Sequence, residues 1–400
     1  MYKFPISYLN SNNGSGLLAF GEGESIRFME GNAFSNLQRF IDKHKGKCIF
    51  GYLSYDLKNE IENLTSTNED GVAFPELYFW IPKYVVELKN ENYTFLQGEK
   101  CDESFDFLNY FLEEETDQNF HPFDSKFTPR IDKNTYIEQV NKLKRHIQLG
   151  NIYEVNFCQE YYAENVTLDY PLDAYFKLNS ITKAPFSSYL QFDEFSAFCG
   201  SPERYLKKTG SKLISEPIKG TSKRGKSPEE DELLKNKLIN DPKERAENIM
   251  IVDLVRNDLS KVALRNSVHV DELCGIYSFE TVHQMISNVS CEVDPTTSFT
   301  DIIKATFPMG SMTGVPKIKA MQLIEEHESF KRGLYSGSIG YIQPNGDFDF
   351  NVVIRSMLYN RNKQYLSCSV GGAITDLSIP EQEYEECLVK VNRILQGMNE

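Results

Sequence analysis

Residues 337–373 read GSIGYIQPNGDFDFNVVIRSMLYNRNKQYLSCSVGGA, and this stretch gives the chain an antiparallel β framework. Asn345-Gly346 sits between two apolar runs, and both residue types accept the positive φ of a tight hairpin turn. A second polar turn, NRNK at 360–363, sends the chain back into 364–373. The expectation is three antiparallel strands. In the middle one, alternation puts Phe348, Phe350, Val352, Ile354 and Leu358 on one face. Asp349, Asn351, Val353 and Arg355 take the other, so Arg355 lies with the polar groups.

Helices stand on either side of this segment. Thr135 with Glu138 three residues on reads as a capping box. Tyr136, Val140, Leu143 and Ile147 then form one apolar stripe, and Gly150 ends it. A strand-like run, IYEVNFCQEYYA, follows at 152–163. Asp241-Pro242, with Glu244 completing the box, starts a helix through ERAENIMIVDLVRNDL. Pro380 opens another through EQEYEECLVKVNRILQ. The acidic, Pro-containing stretch 113–129 reads as a linker. A smaller N-terminal domain is expected over 1–125 and a larger catalytic domain over 126–400.

Composition narrows the function classes. In 400 residues, 43 Lys+Arg against 58 Asp+Glu give a net charge of −15, the wrong sign for a phosphate-binding nucleic-acid partner. No apolar run is long enough to span a bilayer and MYKFPISYLNSNNG lacks a signal-peptide core, so the cytoplasm is expected and a membrane is not. The eight cysteines form no CxxC pair and the six histidines no HxxxH pair. A zinc site or disulfide framework is therefore disfavoured, and any metal must take carboxylate ligands, which suit Mg²⁺, Ca²⁺ or Mn²⁺.

Two glutamate pairs supply candidates. Glu244 and Glu247, like Glu383 and Glu386, are three apart and so neighbours on a helix surface, beside apolar residues. Spacing alone favours a solvated face, with Glu386 and Lys390 as an ordinary i,i+4 pair. Gly310 and Gly314 precede a helix start at Pro316, and SVGGA at 369–373 offers backbone N–H groups to an anion. Glu203 and Lys219, taken singly, are residue types that usually sit in solvent.

The order of the motifs says more than any one of them. SPERYL (201–206), PIKGT (217–221), ERAENIMIVDLVRNDL (244–259), PMGSMTGVPKIKAMQLIE (308–325), SGSIGYI (336–342), VVIRSML (352–358), SVGGAI (369–374) and EQEYEECLVKVNRIL (381–395) follow in sequence, with GYLSYDL at 51–57. Together they resemble the chorismate-utilising enzymes. The resemblance implies an α+β fold of large, mainly antiparallel sheets stacked and flanked by helices. It implies one Mg²⁺ on Glu247 and Glu386, supported by Glu244 and Glu383. It puts the substrate carboxylates on Arg355, Lys390, Tyr341 and the backbone of Gly371, Gly372 and Ala373, with Thr221 and Thr313 matching more loosely.

Within that family, the lysine of PIKGT separates branches. Anthranilate-forming relatives carry alanine there; the branch forming 4-amino-4-deoxychorismate, toward 4-aminobenzoate and folate, carries lysine. The resemblance thus implies that Lys219 is a covalent nucleophile at ring carbon 2, with Glu203 as the acid for the 4-hydroxyl. The anthranilate branch remains the alternative. A nucleophilic Lys219 needs a free amine, so a lowered pKa is expected. Three positions depart from the family pattern. His283 precedes Gln284 where the family has its leaving-group histidine, so that role falls to His283 with a local shift or to Gln284 by hydrogen bonding. Ala373 replaces a glycine. Glu154 stands where the water-activating branches have lysine and the amination branches commonly glutamine. No cysteine sits in a glutaminase-type elbow, so ammonia is expected from a separate glutamine amidotransferase subunit.

Overall fold

The computed structural model describes residues 4–29, 31–90, 92–116 and 125–399. Strands with apolar residues on both faces assemble into two large sheets with antiparallel pairing throughout. One runs from Gly314–Val315 through Glu154–Ala163, Tyr365–Ile374, Ser356–Asn360, Phe195–Ser201 and Phe186–Phe192 to Ile6–Asn10, Ser15–Phe20, Tyr84–Lys89 and Asn92–Gln97. The other runs from Ile218–Lys223 through Val282–Glu292, Lys212–Glu216, Arg204–Thr209, Phe348–Asn351 and Ser338–Ile342 to Ile49–Leu53, Leu77–Trp80 and Ser25–Phe28.

Alternation along each strand feeds two cores. Leu18 and Phe20 pack under helices Asp102–Thr116, Lys133–Gln148, Pro171–Thr182, Lys317–His327 and Pro380–Asn399. Ala19, between them, faces the space between the sheets, filled by Trp80, Phe192, Phe350 and others and continued under helix Pro242–Ser260. This is the α+β architecture expected. Both sheets and both cores take residues from before and after position 125. Strand Ile6–Asn10 pairs with Phe186–Phe192, and Ile49–Leu53 with Ser338–Ile342. The change of composition at 113–129, of which 117–124 lie outside the described residues, therefore does not separate two bodies with cores of their own.

The hairpin at Asn345-Gly346 forms, with Gly340 paired to Phe350 and Gly346 at φ 85°. The single long middle strand does not. Phe348–Asn351 belongs to one sheet and Ser356–Asn360 to the other. The chain crosses between them over Val352, Val353 and Ile354, whose apolar side chains suit passage through a core, and turns at Arg355, which has φ 50°. A left-handed arginine costs about 1–2 kcal/mol, so the alternation that placed Arg355 on a polar strand face stops before it. The cap of helix Lys133–Gln148 also differs: Asp132, not Thr135, accepts the Thr135 N–H at 2.7 Å. Asp241 caps Pro242–Ser260 as expected, accepting from Lys243 and Glu244.

Candidate active site

The site lies where the Glu154–Ala163 edge of one sheet meets the Ile218–Lys223 edge of the other. On the first of these strands Val155, Phe157, Tyr161 and Ala163 enter the helix-side core. Glu154, Asn156, Cys158 and Glu160 thus face the second sheet. Lys219 comes from that sheet and donates from Nζ to Glu154 Oε1 at 2.7 Å. Glu203, Lys219 and Glu154 are all withdrawn from water, with Glu203 5% and Glu154 1% exposed. The solvated reading that Glu203 and Lys219 invite singly does not hold.

Burial pushes the Glu203 carboxyl up to about 7, against the opposing pull of Ser311 and the Lys219 charge. A cavity of about 20 Å³, room for one water, abuts Glu203 beside Ser311, Thr306 and Asp258. Lys219 departs from expectation. Burial pulls its pKa down, but the Glu154, Glu247 and Glu203 carboxylates outweigh it and hold the amine above the ordinary lysine value. At rest it is an ammonium.

Helices Pro242–Ser260 and Pro380–Asn399 bring the two glutamate pairs together beside Lys219. Burial raises Glu247 to about 7, and its Oε1 lies buried without a hydrogen bond. Glu244 is raised by burial, with the charge of Glu386 adding to it. A side chain at Gly220 would come within 3.0 Å of Glu244 Oε2, so the glycine after Lys219 leaves that carboxylate its room. Lys243 stands 3.3 Å from Glu383 and 3.8 Å from Glu247, and Lys390 2.8 Å from Glu386. Among the described residues no three His, Cys, Asp or Glu side chains already converge as a metal shell. What converges is a set of partly buried oxygens neutralised by two lysines, a donor set that suits a hard divalent cation.

Cationic groups also border the site, Lys390 beside Glu386 itself. Strand Tyr365–Ile374 pairs with Glu154–Ala163 along 366–374, yet its pairing with Ser356–Asn360 ends at Cys368. The far edge of 369–373 is left open because the chain turns away at Arg355. Burial, with the charge of Arg393, drops Arg355 to about 10. Among the described residues no carboxylate pairs with Arg355. Lys390 Nζ donates to the Gly371 carbonyl at 3.1 Å. A methyl at Gly371 would run into Cys158 Sγ and come 2.8 Å from the Phe157 carbonyl, whereas Gly372 is open, with Glu383 3.6 Å away. Ala373 has no left-handed backbone, so its Cβ is no obstacle to the loop.

Four expected residues are placed elsewhere. His283 is committed through both ring nitrogens, to Asp231 at 2.9 Å and Ser278 at 2.8 Å, so it has none free for a leaving hydroxyl. Its neighbour Gln284 points to the other strand face and is buried, with Oε1 unpartnered. Tyr341 stacks on Phe50 at 5.6 Å and pairs across to Asp349, which bonds Arg204. Arg204 and Glu203 point to opposite faces, so Tyr341 is on the far side from the acid. The Thr313 hydroxyl closes the Gly310–Met312 turn onto Met309 and Gly310. Thr221 is solvent-exposed opposite Gln284.

Sequence reasoning missed the clamp behind the site. Glu328 Oε1 accepts the Cys158 N–H at 2.8 Å, and Arg332 donates to the Asn156 carbonyl at 2.8 Å and to Met312 at 2.7 Å. This fully buried i,i+4 pair seals the strand edge beyond Gly314–Val315. Its one signal was a Glu and an Arg four apart just past a helix end.

Residues 5–396 match the family described as chorismate binding enzyme. Aminodeoxychorismate synthase component 1 of Bacillus subtilis is 34% identical over 94% of this chain and 84% of its own length. The Escherichia coli protein of the same name is 32% identical over 87% and 76%. Among solved structures, anthranilate synthase component I of Streptococcus pneumoniae superposes with a TM-score of 0.81 at 26% identity, covering 95% of this chain and 92% of that one. With nearly its whole length matched and the buried acid, lysine, glutamate pairs and open glycine edge gathered at one sheet junction, the chain belongs to the chorismate binding enzyme family.

Proposed function

We propose that the chain is an aminodeoxychorismate synthase component I: it converts chorismate and ammonia to 4-amino-4-deoxychorismate, the precursor of 4-aminobenzoate and folate. The observation that carries this is Lys219, buried between Glu154, Glu203 and Glu247 at the sheet junction. A lysine there has no task in direct amination at carbon 2 and an obvious one as a nucleophile. Its amine attacks ring carbon 2, the two conjugated ring double bonds shift, and the 4-hydroxyl leaves as water with the Glu203 proton. Ammonia then attacks carbon 4 and expels the lysine. An acid poised at about 7 is suited to both giving and regaining that proton. With His283 engaged elsewhere, Glu203 supplies the proton alone.

Chorismate is a dianion. Arg355, Lys390 and the open backbone edge of Gly371, Gly372 and Ala373 are the groups suited to its carboxylates. Glu247 and Glu386 would hold one Mg²⁺, with Glu244 and Glu383 behind them; the unpartnered Glu247 Oε1 fits that role. When bound, the ion supplies a positive anchor for the substrate's ring carboxylate. Ammonia would come from a glutamine amidotransferase subunit, since the chain itself carries no glutaminase elbow. Purified alone, it is expected to use ammonium salts and not glutamine. Eight unbridged thiols fit a cytoplasmic setting, and no described helix is long and apolar enough to cross a membrane.

The anthranilate-forming reading is kept alive by the likeness to the Streptococcus pneumoniae structure. Product mass decides: chorismate, ammonium and Mg²⁺ should give an amine that retains the enolpyruvyl group. Anthranilate, which has lost pyruvate, would overturn the proposal.

A further inference from the structure

Glu154 is left without a task by the reaction just described, and its position is unusual. It is 1% exposed. Its backbone is pinned at a sheet junction, opposite Val315 on one side and next to Val155, which pairs with Ile374. Oε1 accepts from Lys219 at 2.7 Å, and Oε2 is buried with no hydrogen bond. Among the described residues no other cation pairs with it.

We propose that Glu154 is the proton acceptor that frees the Lys219 amine, and so a catalytic residue of this chain. The inference rests on the covalent reading given above. The carboxylates that face Lys219 are Glu154, Glu203 and Glu247, with Glu244 and Glu386 near enough to feel its charge. Glu203 must keep its own proton for the departing hydroxyl, and the glutamates of the two helices are the donor set for a cation. Glu154 remains, already in hydrogen-bond contact with the proton to be moved.

The balance closes. The ammonium of Lys219 passes one proton to Glu154. The neutral amine forms the N–C2 bond, the two conjugated ring double bonds both shift, and the C4–O bond breaks, water leaving with the Glu203 proton. Ammonia forms the N–C4 bond, both double bonds shift back, and the C2–N bond breaks to return a neutral Lys219. Glu154 gives its proton back to Lys219, and the new C4 ammonium reprotonates Glu203. Because Lys219⁺/Glu154⁻ and Lys219/Glu154-H hold the same number of protons, the reactive form is a constant fraction of the singly protonated pair, independent of pH.

That constancy is the test. Adduct formation with chorismate and Mg²⁺, without ammonia, is followed by intact mass from about pH 5.5 to about 8.5. The wild type should be flat on the acid side and slow only as Glu203 loses its proton above about 7. Glu154→Gln keeps the shape but cannot take the proton, so the amine must lose it to solvent. Its profile should rise about tenfold per pH unit below about 7 and level off above it, where loss of the Glu203 proton offsets the gain in free amine. Glu154→Asp should be slower yet flat again. A Glu154→Gln protein with the wild-type rate and profile overturns the proposal, as does an ascending limb in Glu154→Asp. No adduct in the wild type overturns the covalent reading itself, a different result from an adduct whose profile ignores Glu154.

Discussion

Glu203→Gln exchanges a buried acid for a neutral side chain of nearly the same shape, and it should make the protein more stable while it disables it. Glutamic acid titrates near 4.5 in the unfolded chain, and burial carries Glu203 to about 7 in the fold. Between those values the folded protein holds a proton that the unfolded chain has lost. Stability therefore falls as pH rises through that window, and the whole penalty is present above about pH 7. At about 1.4 kcal/mol per pH unit the penalty is roughly 3 kcal/mol. Lys219 would lose one of its three compensating carboxylates in the variant, which trims the gain to about 2 kcal/mol. Urea denaturation should find Glu203→Gln about 2 kcal/mol more stable than wild type near pH 8 and nearly equal near pH 4.5. Amination should drop by about 10²–10⁴-fold for want of the acid. Equal stability near pH 8, or a gain that persists at low pH, would refute the elevated carboxyl and with it the acid role.

Lys219→Ala should cut amination at carbon 4 by several orders of magnitude, roughly 4–8 kcal/mol of barrier, and product mass spectrometry checks it. Glu386 is half exposed and, among the described residues, is ion-paired to Lys390, so Glu386→Ala should cost under about 1 kcal/mol of stability and abolish turnover; circular dichroism and the product assay separate the two. Gly371→Ala forces a methyl into Cys158 and the Phe157 carbonyl and should cost about 1–3 kcal/mol and raise the KM for chorismate. Gly372→Ala meets only the ends of Glu383 and Lys390, so thermal denaturation should find it close to wild type.

What could be read in the sequence was whatever depends on local pattern or on several motifs in order. The Asn345-Gly346 turn, the Asp241 cap and the two glutamate pairs are of this kind. What could not be read depends on which way the chain turns after a local pattern ends. Val352, Val353 and Ile354 alternate as well as any strand, yet apolar side chains on every side equally suit a crossing between sheets, and only tertiary context chooses. Tyr341 and His283 failed for a related reason. Each is one residue along a strand from the face that matters, and in a strand one residue is the whole difference between two faces. The state of Lys219 was out of reach because its charge is set by Glu154, sixty-five positions away in the chain and 2.7 Å away in space.

The net charge of −15 would seem to repel a dianion, and local electrostatics explains why it does not decide the matter. Exposed charges beyond about 8–10 Å are screened at physiological salt, so a substrate inside the site responds to its walls. Arg355 and Lys390 supply positive charge there, Lys390 directly beside Glu386 at 2.8 Å, and Lys219 sits among the other glutamates. Arg355 is the informative member. Its fall below the ordinary arginine value to about 10, through burial and the neighbouring Arg393 charge, means that the fold holds its guanidinium at a penalty. At about 1.4 kcal/mol per pH unit that penalty is at most roughly 3 kcal/mol, and a carboxylate set against Arg355 removes it. On the proposed reading, an anion would be bound partly by relief of a strain already present in the fold, with the backbone turn at φ 50° fixing where the guanidinium must wait.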